Sequence, residues 1–283
     1  MAVPLLLSAG ELAGRLGDPR LVVADCRFLL DDSAAGERAY LEAHASGAVY
    51  AHLDRDLSAP KTGSNGRHPL GAPDAMSEAL GSLGISGDSR VVAYDDVGGG
   101  LAAARLWWML RYLGHDDASL IDGGWQAWLA AGGPIRGGRE ALPPATFAGR
   151  ARTEMALDAD EVERVASDAA WRVVDSRALS RYRGDEEPID PVAGRIPGAR
   201  HHFWQDNLTP EFRMRPLQEL RGLFERVLDG ARPDHAVFYC GSGVTSAFQV
   251  FAMEVAGLPG SRLYPGSWSE WCSDRSRPVQ RGA

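Results

Sequence analysis

Short apolar runs alternate with helix-compatible stretches along the chain. Leu21-Val22-Val23-Ala24 reads as a buried strand that ends at Asp25-Cys26-Arg27, and Arg90-Val91-Val92-Ala93-Tyr94 reads as a second. Leu101 to Leu113 predicts a helix whose apolar face carries Leu106, Trp107 and Leu110. Ser119-Leu120-Ile121 predicts a short strand running into Asp122-Gly123-Gly124. A helix from Trp125 to Ala131 follows, stopped by Gly132-Gly133-Pro134. Further on, Ala236-Val237-Phe238-Tyr239 predicts a buried strand, and Ala247 to Val255 a helix. Strands alternating with helices imply an α/β fold with a mostly parallel sheet flanked by helices.

The pattern occurs twice. Val173-Val174-Asp175-Ser176-Arg177 answers Val23-Ala24-Asp25-Cys26-Arg27, and Ile196-Pro197-Gly198-Ala199 answers Ala45-Ser46-Gly47-Ala48. Val237-Phe238-Tyr239-Cys240 answers Val92-Ala93-Tyr94-Asp95, and Pro265-Gly266-Ser267-Trp268-Ser269-Glu270-Trp271 answers Asp122-Gly123-Gly124-Trp125-Gln126-Ala127-Trp128. Four matched blocks in order, offset by about 145 residues, mean two copies of one domain rather than a solenoid. From residue 132 to about residue 153, Gly, Pro and Arg dominate and periodicity is lost. The expected organisation is a first domain over 1–140, a linker over 141–153 and a second domain over 154–283.

Between the strand ending at Tyr239 and the helix beginning near Ala247 stands Cys240-Gly241-Ser242-Gly243-Val244-Thr245-Ser246. Strand ends are where open α/β sheets place their sites. Two glycines in three residues let the backbone curl so that several N–H groups point inward, and the following helix adds its positive end. Such a nest stabilises a thiolate and brings its pKa into the range of about 3.5–7.5 found for activated cysteines. Cys240 is therefore the candidate nucleophile. The alternative, a small buried apolar residue, leaves the glycines without a use. The first copy has Asp95 in the equivalent position, followed by Gly98-Gly99-Gly100, and offers no thiol there. Chemistry is expected from the second copy.

Bulk properties narrow the function. A length of 283 residues with 45% apolar content fits two globular domains. The net charge of −8 argues against nucleic acid as a partner. No apolar run approaches a membrane span, and Met1 to Leu7 has no basic residue ahead of its short apolar run, so neither a membrane nor a signal peptide is expected. The three cysteines, Cys26, Cys240 and Cys272, are far apart and form no C-x-x-C, which leaves neither zinc nor a disulfide framework in view. A free reactive thiol suits the reducing cytoplasm. Cys26 and Cys272 lack a glycine nest and read as bystanders.

These blocks resemble the tandem-domain sulfurtransferases of the rhodanese superfamily. The resemblance covers nearly the whole chain. It rests most specifically on Cys240 to Thr245, on Tyr264 to Trp271 and on Asp122-Gly123-Gly124-Trp125. The loop C-G-S-G-V-T is similar to that of 3-mercaptopyruvate sulfurtransferases, whereas thiosulfate-preferring members typically carry C-R-K-G-V-T. Thiosulfate is a dianion and suits two loop cations. Gly241 and Ser242 add no charge and suit a donor whose charge is a distant carboxylate.

The resemblance implies a ping-pong reaction through a Cys240 persulfide. A small-molecule sulfur donor loads it, and a thiol such as thioredoxin, or cyanide, accepts the sulfur. No metal or organic cofactor is implied. The loop N–H groups from Gly241 through Gly243, Val244 and Thr245 would hold the sulfur anion. The resemblance also assigns proton handling to Ser242, His68 and Asp56, and donor binding to Arg181, whose fork of N–H donors matches a carboxylate. A second arginine of the family pattern, just after a Glu-Pro pair, is missing here because Glu187-Pro188 is followed by Ile189-Asp190. Arg183 and Arg195 are the sequence candidates to replace it.

Asp25 and Asp175 read as structural anchors, with Arg27 and Arg177 pairing with carboxylates where the domains meet. Trp107, Trp108, Trp125 and Trp128 read as core. Trp268 and Trp271 could be core or border the pocket. Cysteine phosphatases of related shape need C-x5-R, but Thr245 and Ser246 occupy the end of that span, so that chemistry is excluded. Gly98-Gly99-Gly100 has no following Lys-Ser/Thr and is no P-loop, and no dinucleotide fingerprint is present. A non-catalytic binding or persulfide-carrying module remains the other class, distinguished by an unreactive Cys240 at neutral pH.

Overall fold

The computed structural model describes residues 4–282. They form two compact units. The first comprises residues up to 59 with 71–152 and 208–214, and the second comprises 60–70, 153–207 and 215 onward.

In the first unit, β1 (Leu6–Leu7), β2 (Leu21–Asp25), β4 (Val49–Tyr50), β5 (Arg90–Tyr94) and β6 (Ala118–Ile121) form a parallel sheet in the order β1-β6-β5-β2-β4. A separate antiparallel pair joins β3 (His44–Ala45) to β7 (Ile135–Arg136). In the second unit, β8 (Arg172–Asp175), β9 (Arg200–His201), β10 (Ala236–Tyr239) and β11 (Arg262–Leu263) form a parallel sheet in the order β11-β10-β8-β9. This repeats the β6-β5-β2-β4 order of the first sheet. The all-apolar runs seen in the sequence are the central strands, covered on both faces as parallel sheets require.

The cores match position by position. Val23, Val92, Tyr94, Trp125 and Trp128 pack together in the first unit, and Val173, Val237, Tyr239, Trp268 and Trp271 in the second. Trp268 and Trp271 are completely buried, with Nε1 of each donating to a backbone carbonyl, Val192 O at 2.8 Å and Pro278 O at 2.9 Å. They are core, which decides between the two readings open in the sequence.

Each unit carries the same buried anchor. Arg27 grips Asp25 with Nε and Nη2, donates to Ala43 O at 2.6 Å and lies over the Trp125 ring. Arg177 grips Asp175 in the same way, donates to Gly194 O at 2.6 Å and lies over Trp268. The expected pairing with carboxylates is thus local to each unit. Each neutralises the aspartate two residues before it in its own unit, where desolvation makes an unpaired charge costly.

The segment expected to be a linker is largely part of the first unit. Ala145 N–H donates to Gly81 O at 2.9 Å, Arg150 N–H to Leu113 O at 2.9 Å and Arg152 N–H to Tyr112 O at 2.7 Å, and Phe147 is buried. Its backbone groups are satisfied one at a time by the surface it lies on, so it needs no helical or strand period. Residues 60–70 are likewise built into the second unit. Arg67 N–H donates to Ser269 Oγ at 3.0 Å, and Ser273 Oγ to Ser64 O at 3.2 Å.

Candidate active site

Strand β10 ends at Tyr239 and the helix Thr245–Val255 starts five residues beyond Cys240. The loop between them is fixed by the short helix Ser267–Trp271. Trp268 N–H donates to Cys240 O at 3.0 Å and Ser269 N–H to Gly241 O at 2.9 Å. With its carbonyls tied outward, the loop turns N–H groups toward the sulfur. Gly243 has φ +77° and its Cα hydrogen faces the Pro265 carbonyl, where a Cβ would collide with backbone. Ser267 is in the left-handed region at φ 55°, unusual for a residue with a side chain. Its Oγ accepts from Cys240 N–H at 3.1 Å and donates to Tyr264 O at 2.9 Å. Nothing in the sequence singled out Ser267 as a site residue. Its role depends on that backbone conformation.

Cys240 is buried, and burial raises its thiol pKa. The hydroxyls of Ser246 and Thr245 and the N–H groups of Ser242 and Ser246 outweigh burial and bring the net value below the ordinary thiol value. Ser246 Oγ lies 3.4 Å from Cys240 Sγ. The other two cysteines go the opposite way. Burial next to Asp25 pushes Cys26 far up, and burial near Asp190 pushes Cys272 up to about 11.

The first unit shows what this loop shape holds. Asp95 Oδ1 accepts from Val97 N–H at 3.0 Å and Gly99 N–H at 2.7 Å, while Oδ2 accepts from Leu101 N–H at 2.9 Å and Ala103 N–H at 3.4 Å. Trp125 N–H donates to Asp95 O at 2.8 Å, as Trp268 does to Cys240 O. The nest is therefore filled by the chain's own carboxylate, an anion where the second unit has a thiol. Complete burial outweighs the bonds from Leu101, Gly99 and Val97 and raises the Asp95 pKa to about 6. An unfolded aspartate titrates near about 3.9, so the folded state binds more protons between these values. Wild type should consequently lose about 2 kcal/mol relative to Asp95→Asn as pH rises from 4 to 7. Denaturant unfolding of both proteins across that range checks this, and a constant difference would contradict it.

His68 Nδ1 and Ser242 Oγ are 2.7 Å apart, and both residues are buried. The structure thus brings together two of the three residues assigned to proton handling. Asp56 belongs to the first unit. Its carboxylate accepts from His52 N–H at 2.8 Å and from Arg55 Nε at 3.1 Å. Arg181 is at the loop. Its guanidinium pairs with Glu187 at 2.7 Å and with Asp190 at 2.9 Å. Burial raises the Glu187 pKa, but the bonds from Arg181 and from the Asp190 and Ile189 N–H groups hold it below the usual carboxylate value.

The two arginines named as replacements are elsewhere. Arg195 is buried, donates from Nη1 to Gly282 O at 2.6 Å and covers the Tyr182 ring, so it ties down the end of the chain. Arg183 is exposed at the end of the helix Leu179–Arg183. The guanidinium that does reach the loop is Arg67. An ideal Cβ on Gly241 would be 2.5 Å from Arg67 Nη2 and 3.5 Å from both Nη atoms of Arg181. Arg67 also pairs with Asp190 through Nη1. It stands next to His68 in the sequence, and that adjacency was the only signal available.

Two parallel-sheet units, one with a nested thiol and one with a carboxylate in its place, define a duplicated α/β protein with a single cysteine site. The rhodanese-like domain model matches residues 8–131 and again 158–274, and the chain belongs to that family. It is 46% identical to the "Probable 3-mercaptopyruvate sulfurtransferase" of Pseudomonas aeruginosa over the full length of both. It is 32% identical to the thiosulfate sulfurtransferase of Bos taurus, over 94% of this chain and 89% of that one. Among solved structures, a 3-mercaptopyruvate sulfurtransferase from Leishmania major superposes with a TM-score of 0.86 at 29% identity, covering 98% of this chain and 76% of that one.

Proposed function

We propose that the protein is a sulfurtransferase that takes sulfur from 3-mercaptopyruvate onto Cys240 and passes it to a thiol or to cyanide. The observation that carries this reading is the Cys240 loop: a buried thiol with a lowered pKa in a nest whose first-unit counterpart already holds an anion. The Cys240 thiolate attacks the donor sulfur, forming an S–S bond. The C–S bond breaks and its electron pair leaves as the enolate of pyruvate. The proton on the transferred sulfur then goes to the enolate carbon, so no oxidant or reductant is consumed. Ser242 and His68, at hydrogen-bond distance from each other, are suited to carry that proton. Asp56 enters through the family resemblance alone, as the third member of that proton-handling group. An acceptor thiolate or cyanide finally attacks the outer sulfur and releases the Cys240 thiolate. The reducing cytoplasm is the setting that keeps such a thiol available. Among the described residues no helix is long and apolar enough to cross a membrane.

Thiosulfate is the competing donor, and the relatives include enzymes named for each substrate. Steady-state kinetics with both donors and one acceptor decides between them. We expect kcat/KM to favour 3-mercaptopyruvate by about tenfold or more, which is about 1.4 kcal/mol in transition-state binding. A preference for thiosulfate would overturn the donor assignment and leave the persulfide chemistry intact.

A further inference from the structure

We infer that Arg67 is the second cation of the donor site and binds the donor's carboxylate. The inference rests on the sulfurtransferase reading and deepens it. Arg181 alone would meet a carboxylate with one guanidinium. Ile189 stands where the family pattern has the other arginine, Arg183 is exposed at a helix end, and Arg195 is bound to Gly282 O. Arg67 comes instead from the 60–70 segment of the second unit, its backbone N–H pinned to Ser269 Oγ at 3.0 Å.

Three observations place it. The first is the approach to Gly241. A side chain there would begin 2.5 Å from Arg67 Nη2, so Arg67 fills space that any larger residue at position 241 would take. A side chain at position 241 would displace the Arg67 guanidinium from the place it holds here. The neutral residue at 241 therefore makes room for a guanidinium delivered from elsewhere. The second is Asp190. Its carboxylate, 2% exposed, pairs with Arg67 Nη1 through Oδ1 and with Arg181 Nη2 at 2.9 Å through Oδ2. One buried carboxylate bridging two guanidiniums offsets their mutual repulsion and fixes their spacing, a geometry suited to gripping a second carboxylate from the open side. The third is access. The arginine side chains are 25% and 15% exposed, so both can be reached by a small molecule.

Two experiments on the full-length protein test this. In turnover, Arg67→Met should raise KM for 3-mercaptopyruvate about tenfold or more while changing kcat much less, and Arg67→Lys should recover part of the loss by keeping the charge without the fork. An equal fall in kcat with KM unchanged would overturn the binding role. The second readout does not depend on sulfur transfer. Cys240 is alkylated with iodoacetate, which carries a carboxylate, and with neutral iodoacetamide. The iodoacetate-to-iodoacetamide rate ratio should fall about tenfold in Arg67→Met and return most of the way in Arg67→Lys. An unchanged ratio in a folded Arg67→Met protein would refute the inference. If that variant does not fold, Asp190→Asn takes its place: it unbridges the two guanidiniums and should shift the same ratio, and no shift would count against the clamp. Should wild type turn over neither donor, the sulfurtransferase reading fails by itself, and the alkylation ratio still reports whether Arg67 forms an anion site.

Discussion

Cys240→Ser should lose at least about a thousandfold in turnover with every donor, with the fold intact. The residue is buried in a loop whose shape comes from Gly243, from the carbonyl bonds to Trp268 and Ser269 and from the Ser267 hydroxyl, none of which needs sulfur. A serine hydroxyl fits that space. What it cannot do is ionise. Ser246, Thr245 and the loop N–H groups offset a burial penalty on a thiol, and the same groups are far too weak to make an alkoxide near neutral pH. Steady-state kinetics alongside thermal unfolding of both proteins checks the prediction. Residual turnover within tenfold of wild type would mean that the reaction does not pass through Cys240.

Gly243→Ala is expected to have the second largest effect, and for a different reason. At φ +77° a methyl group would run into the Pro265 carbonyl, so the loop must open. The backbone strain costs about 1–3 kcal/mol. The larger consequence is chemical. Opening the loop turns N–H groups away from Cys240, and its thiol pKa should climb toward the free value of about 8.5. We expect kcat/KM at neutral pH to fall about a hundredfold and the pH midpoint of iodoacetamide alkylation to rise. Gly257→Ala is the control. That glycine has φ +69° and its nearest neighbour to an added Cβ is an arginine nitrogen 3.8 Å away, so it carries a comparable strain outside the site. Equal losses of activity in the two variants would mean that strain, not the nest, explains the effect.

The strands, the duplication and the nucleophile were legible in the sequence because each is written locally. Buried parallel strands are continuous apolar runs, and β2, β5 and β10 stand where those runs are. The repeated Asp-x-Arg anchor and the paired tryptophans marked the two copies. Cys240 was legible because two glycines beside it have a physical use. What stayed hidden depends on distant chain segments. Arg67 is remote in sequence from Gly241, and no local pattern shows that residues 60–70 join the second unit. Arg195 was a sequence candidate because it directly precedes the Ile196-Pro197-Gly198 block, yet its guanidinium donates to Tyr182 O and Gly282 O. The 141–153 stretch looked like a linker because irregular backbone laid on a surface has the same composition as one that spans open solvent.

The most direct test of the central claim is the mass of the Cys240 peptide after wild type is mixed with 3-mercaptopyruvate and no acceptor. The account predicts a gain of one sulfur atom on Cys240, stoichiometric release of pyruvate, and loss of the added sulfur when cyanide or a thiol is supplied. Pyruvate released with Cys240 unmodified, or added sulfur on Cys26 or Cys272 alone, would contradict it.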